Sequence, residues 1–418
     1  MKNYFYGADI LLPDFGKNDG KKWAVIACDQ HTSEPEYWQA AAELAADSPS
    51  TLELILPEVY LEETEARVPV INGTMEKYVR DVLLEHKESM ILLERTLACG
   101  AVRRGLVGCI DLEDYDYKKG ADSLIRATEG TVLERIPPRV AVRRGASIEL
   151  PHVMVLIDDP ERTVVEPLAK VAETFAVAYD FDLMLGGGHV KGYFVDAEAQ
   201  KTIDGALSAL ITPEAMQKKY GGEYAPLLFA VGDGNHSLAS AKAAYEEVKA
   251  ALGEAAKDHP ARYALVEIVN LHDDALSFEP IYRVMFGVSP AAVLEALREY
   301  AGNLEGAESP QKVDYVHSGG EGSVVFRRPA QQLTVGTLQT FIDEYIASHE
   351  GASVDYIHGE EATKALARRE GAIGFLFDGM SKDQLFKTVI CDGALPRKTF
   401  SMGHAEDKRY YLECRKIK

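Results

Sequence analysis

The stretch LLFAVGDGNHSLASAKAAYEEVK, residues 227–249, constrains the fold of this chain more than any other. An apolar run ends in Gly232-Asp233-Gly234, and the apolar positions beyond it are Leu238, Ala241, Tyr245, Val248 and Leu252. Steps of three and four residues put these on one helical face, so a buried strand must pass into a helix through one tight turn. Two glycines let the backbone turn sharply and approach a ligand. Asn235 and Ser237 are both suited to capping the helix. A turn of this kind presents free N–H groups at the positive end of a helix dipole, which is an anion site. His236 adds a donor, and Asp233 offers a metal ligand or a base. The same residues also describe a plain strand–turn–helix in which Asp and Asn only cap.

Around this unit the chain reads as α+β, a mixed-sheet main domain with a smaller C-terminal α/β domain. WAVIACDQ (23–30), MILLERTLA (90–98), RGLVGCIDLEDY (104–115), HVMVLIDDP (152–160) and YALVEIVNLHD (263–273) read as strands. Helices are expected around 38–46, from Gly73 to about His86, and around 165–177. DLMLGGGHVKGYFVD (182–196) reads as a glycine-turned hairpin. A glycine-rich polar stretch after Ser289 suggests a main domain over 1–287 and a second domain over 288–395. The segment 396–418 is expected to return to the first domain.

With 66 acidic against 45 basic residues, the net charge of -21 argues against a broad nucleic-acid or anionic-membrane surface. Five scattered cysteines without a C-x-x-C pair argue against a disulfide framework or a cysteine zinc site. The first twenty residues carry acids and a proline behind a short apolar run, so a signal peptide is not expected, and the cytoplasm is the expected location.

Several motifs in order resemble the bacterial and archaeal domain-of-unknown-function 1015 family. Gly232-Asp233-Gly234-Asn235-His236-Ser237-Leu238 stands where that family has Ala-Asp-Gly-His-His-Arg-Tyr. Arg126, Glu129 and Thr131 resemble its Arg-x-Glu-x-Thr, with Arg135 soon after. Pro280-Ile281-Tyr282-Arg283 is similar to Pro-Thr-His-Arg, and Pro396-Arg397-Lys398-Thr399-Phe400 to Pro-x-Lys-Ser-Thr. The family signature is in turn similar to the phosphate-gripping motif of the ParB/sulfiredoxin superfamily, which includes kinases of free serine.

The resemblance implies nucleotide-dependent phosphoryl transfer to a hydroxyl of a small molecule, free L-serine among the acceptors, with Mg2+ and ATP or ADP. A phosphate- or nucleotide-binding regulator without catalysis is the alternative it leaves open. Implied catalytic groups are Asp233, Glu129 and His236, with Asp233 and Glu129 also on the metal. Phosphate contacts fall to Gly232, Gly234, Asn235, Ser237, Arg126, Thr131, Arg135, Arg283, Lys398 and Thr399. Asn235, Ser237 and Tyr282 depart from the family pattern, and Ser237 removes a bidentate arginine. The loop around Lys398, Thr399 and His404 can supply the missing cation. Asp29, His31, Thr32 and Ser33 directly follow a buried-looking strand, a usual location for substrate-binding residues. They also fit a simple helix-start turn.

Overall fold

The computed structural model describes residues 2–130, 136–403 and 405–418, and nothing of the Pro138 side chain. The chain divides into two compact units, Met1–Leu276 with His404–Lys418, and Ser277–Gly403. The division falls ahead of the strand Phe278–Phe286, which the sequence places in the first domain.

The first unit is built on a nine-stranded mixed sheet. Tyr263–Asn270 runs antiparallel to Val102–Asp111 on one side and parallel to Met154–Ile157 on the other. Phe229–Asp233 follows, antiparallel to Met154–Ile157 and parallel to Ile125–Ala127. These strands read as near-continuous apolar runs because both faces are covered. One cluster gathers Leu106, Val155, Phe229, Leu238 and Val266; the other gathers Trp23, Trp38, Val107, Leu265 and Tyr411. The glycine-turned hairpin forms between Ala176–Asp182 and His189–Phe194.

A smaller four-stranded sheet joins Ala8–Pro13, Leu83–Ser89, Cys414–Lys416 and Ile148–Glu149. The helix expected to start at Gly73 instead spans Thr64–Asp81, and His86 lies in the strand Leu83–Ser89. Pro69 sits within the second turn of that helix. The strand expected over 23–30 shrinks to Val25–Ile26, because Trp23 closes a short helix that Asp19 caps. Helix expectations around 165–177 reduce to Val165–Lys170, since Ala176 already opens a strand.

The second unit is a six-stranded sheet carrying the helices Pro290–Asn303, Thr334–Ser348, Glu360–Ala367 and Lys382–Asp392. Among the described residues no helix is long and apolar enough to cross a membrane.

Candidate functional site

The strand Phe229–Asp233 turns into the helix Asn235–Leu252 through Gly234, whose backbone is left-handed at φ 81°. A Cβ there would lie 3.0 Å from the Val153 backbone, so both conformation and space call for glycine. Leu238, Ala241 and Tyr245 are buried as their spacing predicts, whereas Leu252 is exposed. No side chain caps the helix among the described residues, because Gly234 occupies the capping position. Asp233 turns back to accept the Gly234 N–H at 3.0 Å. Asn235 is spent on the fold: its Oδ1 accepts the Thr128 N–H at 3.2 Å, and its Nδ2 donates to Thr128 Oγ1 at 3.3 Å. Thr128 in turn donates to the Val231 carbonyl at 2.6 Å. These bonds lock the turn onto the neighbouring strand.

Two cations from distant parts of the chain meet this turn. Lys408 Nζ stands 3.4 Å from Asp233 Oδ2, both side chains largely enclosed. His152 Nε2 stands 3.3 Å from Ser237 Oγ and 3.6 Å from Asp29 Oδ2. Its Nδ1 is 2.8 Å from the Tyr411 hydroxyl, which also accepts the Cys28 N–H at 3.3 Å. Burial works against a charged imidazole, but the Asp29 carboxylate outweighs it, with a further pull from Asp233, and raises the His152 pKa. Burial likewise opposes the Asp29 charge, and His152, Gln30 and Lys408 overcome it, holding the carboxyl well below the usual carboxylate range. Each partner thus favours the charged form of the other, and the imidazole keeps its proton to higher pH than a free histidine would. The arginine missing at Ser237 thus has cationic neighbours in its place, though neither comes from the loop at Lys398.

Beneath the segment that carries Lys408 lies a layer of buried charge. Arg409 donates to Glu267 at 2.9 Å and to Glu413 at 2.5 Å. Arg95 and Arg103 face one another on adjacent strands and hold the carbonyls of Glu406 (3.0 Å) and Asp407 (2.9 Å). Burial, then the neighbouring Arg103, brings the Arg95 guanidinium down to about 10. The segment is therefore fixed from below, which holds Lys408 at the turn.

The other candidates are placed differently. Arg126 is buried, and its guanidinium donates to the carbonyls of Ser123 (2.8 Å), Ala225 (3.1 Å) and Pro226 (3.2 Å). These bonds make Arg126 a clamp on three backbone carbonyls. Glu129 is half-buried directly after Thr128. Thr131, Arg135 and His404 lie outside the described residues. His31 takes a left-handed backbone at φ 48°, stacks on Tyr37 with ring centroids 3.7 Å apart, and accepts from Trp38 through its carbonyl. Thr32 and Ser33 are exposed, so from this loop only Asp29 joins His152. Arg283, Lys398 and Thr399 belong to the second unit. There Arg283 is fully buried and donates to Gln339 and to the carbonyls of Ile281, Arg397 and Lys398. Lys398 lies over the Tyr356 ring at 5.3 Å, and Thr399 donates to Pro396.

For Mg2+ the donor set is thin. No group of three or more His, Cys, Asp or Glu gathers among the described residues. Asp233 fits the lesser role in which one carboxylate assists a cation already held by nucleotide phosphates.

Sequence reasoning missed His152, Lys408 and Tyr411. His152 opens an apolar strand run and Lys408 sits in a basic tail, so neither has a local partner that would mark it. Glu267 was the accessible signal of the buried charge, as one carboxylate inside the apolar run YALVEIVN.

A mixed sheet with covering helices makes this an α+β protein, and its glycine-turned helix terminus meets an enclosed histidine and a lysine. The chain belongs to the family described as "Protein of unknown function (DUF1015)", which matches residues 14–416. No curated protein matches it. Among solved structures it is similar to a free serine kinase in complex with AMP, at 13% identity and TM-score 0.38, covering 74% of this chain and 92% of that one. A conserved hypothetical protein from Pyrococcus furiosus is 12% identical at TM-score 0.33, with 73% and 90% covered. SbnI with a C-terminal truncation, from Staphylococcus aureus, is 11% identical at TM-score 0.34, with 73% and 85% covered.

Proposed function

We propose that the first unit binds the phosphates of a nucleotide at the Gly232–Ser237 turn and transfers a phosphoryl group to a hydroxyl of a small molecule. The observation that carries this reading is the meeting of His152 and Lys408, from distant parts of the chain, at a helix terminus that no side chain caps. Backbone N–H groups, the helix dipole, an imidazolium and an ammonium favour an anion there, and phosphate is the anion a short glycine turn admits. In the transfer, the acceptor oxygen bonds to the terminal phosphorus as the bond to the bridging oxygen breaks. The hydroxyl proton passes to the Asp233 carboxylate, and the shortened nucleotide leaves. Lys408 and His152 offset the charge on the phosphoryl oxygens. Mg2+, arriving with the nucleotide, would supply further charge neutralisation beside Asp233.

The test is calorimetric titration of ADP and ATP, followed by transfer of labelled terminal phosphate to a panel of alcohols and L-serine. Saturable binding that weakens in Lys408→Met, with turnover abolished in Asp233→Asn, supports the reading. Absence of nucleotide binding removes it, and turnover that survives Asp233→Asn removes the assigned base. A binding-only regulator is the second reading, favoured by Asn235, whose amide is occupied by Thr128 instead of facing a ligand. Binding without transfer to any acceptor would establish it.

A further inference from the structure

A cavity of about 170 Å³ in the first unit opens beside the turn. Ser237 and His152 form one polar edge of it, and the remaining wall is mostly aliphatic, including Leu54, Leu56, Met75, Val142, Leu238 and Ala241. Four further charged side chains line it, and all are already matched. Arg139 pairs with Glu58, and Arg143 pairs with Glu149, which also receives Arg415 at 2.8 Å. The Ser240 hydroxyl is spent on the His236 carbonyl at 2.7 Å. His152 keeps Asp29 as its counter-ion.

We infer that this cavity takes a small uncharged molecule with an apolar body of about six or seven carbons, since an apolar cavity of similar volume, ~150 Å³, holds benzene. Its hydroxyl meets Ser237 and His152, the polar edge shared with the phosphate turn. A zwitterionic amino acid is disfavoured, because the ammonium and carboxylate would enter a wall whose charges are already paired. The identity of the occupant follows from the cavity alone; its role as phosphoryl acceptor rests on the reading above.

The test is ligand-observed NMR titration of the full chain with benzyl alcohol, toluene and L-serine, with ADP binding measured on the same samples. Two variants fill the cavity from different helices, Ala241→Phe and Val142→Phe, so that one misfolded variant leaves the other informative. Benzyl alcohol is expected to bind saturably and more tightly than toluene. Its affinity should fall at least about tenfold in the filled variants, with ADP affinity unchanged. L-serine is expected not to saturate. Saturable L-serine binding lost on filling, equal binding of toluene, or benzyl alcohol binding indifferent to both fillings would overturn the inference. Failure of ADP to bind while benzyl alcohol behaves as expected would sustain the cavity's chemistry and remove the phosphate reading alone.

Discussion

Lys408 Nζ lies 3.4 Å from Asp233 Oδ2, although 174 residues lie between them in the chain. The contact exists because the segment after the second unit returns to the first, where Ala27 N–H bonds to the Arg409 carbonyl at 3.0 Å. Lys408 is thereby an ammonium on call beside an uncapped helix terminus. Lys408→Met is expected to weaken ADP binding by about tenfold, the cost of one charge-assisted contact. Unfolding free energy should fall by about 1–2 kcal/mol, because the pair is largely enclosed while Asp233 keeps the Gly234 N–H. Calorimetry and denaturant titration on one preparation separate the two effects, and an unchanged ADP affinity would remove Lys408 from the site.

Gly234→Ala should be costly for a different reason. The residue is left-handed, and the new Cβ would press on Val153 at 3.0 Å. A loss of about 1–2 kcal/mol is expected, from backbone strain together with the contact. Gly100 is also left-handed, at φ 86°, but has nothing within 4 Å of its Cβ position. Gly100→Ala should therefore cost less. Equal losses in thermal unfolding would show that the close approach to Val153 contributes nothing.

The strand–turn–helix was legible because its signals are local. Glycines and three-to-four spacing lie within twenty-odd residues, and the buried positions Leu238, Ala241 and Tyr245 follow from them. The reading of 73–86 as helix holds as far as Asp81 and fails beyond it, where tertiary pairing prevails. Leu83–Ser89 carries Leu84, Glu85 and His86 into pairing with Ala8–Pro13, and that partner lies far away in sequence. The site was half legible for the same reason. Asp233 and Ser237 announce themselves, but the groups gathered around the turn come from residues 29, 152, 408 and 411, and no spacing rule links them. Arg126 shows the converse, since a motif position attractive for phosphate is occupied by backbone carbonyls.

That assignment of Arg126 is itself open to test. Arg126→Met would leave three carbonyls without their donor in a buried setting, at a cost of about 2–4 kcal/mol. ADP affinity, measured where the variant is still folded, should remain within about twofold of wild type. A large loss of affinity with stability intact would return Arg126 to the phosphate site.

The buried layer should behave as a unit. Arg409 bridges Glu267 and Glu413, all three nearly inaccessible, so Arg409→Met strands two carboxylates. A loss of about 3–5 kcal/mol is expected. Adding Glu267→Gln should recover part of it, because one stranded charge is removed. A double variant whose cost is the simple sum of the single costs would show that the residues are not coupled.

The Asp29–His152 pair sets a pH window. Its imidazole binds a proton more tightly in the folded chain than its ordinary value of about 6.5 allows, so its contribution is complete below that value. The contribution is lost as pH rises through the raised folded value. Asp29 is the mirror case: its contribution is present above about 3.9 and is lost only as pH falls through the depressed folded value. Between about pH 4 and 6.5, therefore, the pair stabilises the fold in full. His152→Gln keeps an amide near Ser237 but removes the charge. The stability gap between wild type and this variant should be widest at about pH 5 to 6 and should narrow steadily towards alkaline pH. Denaturant unfolding of both proteins in steps from pH 5 to 9 measures the gap, and a gap that stays constant would mean that the folded chain holds the His152 proton no more tightly than the unfolded chain does, so that Asp29 does not favour the charged imidazole.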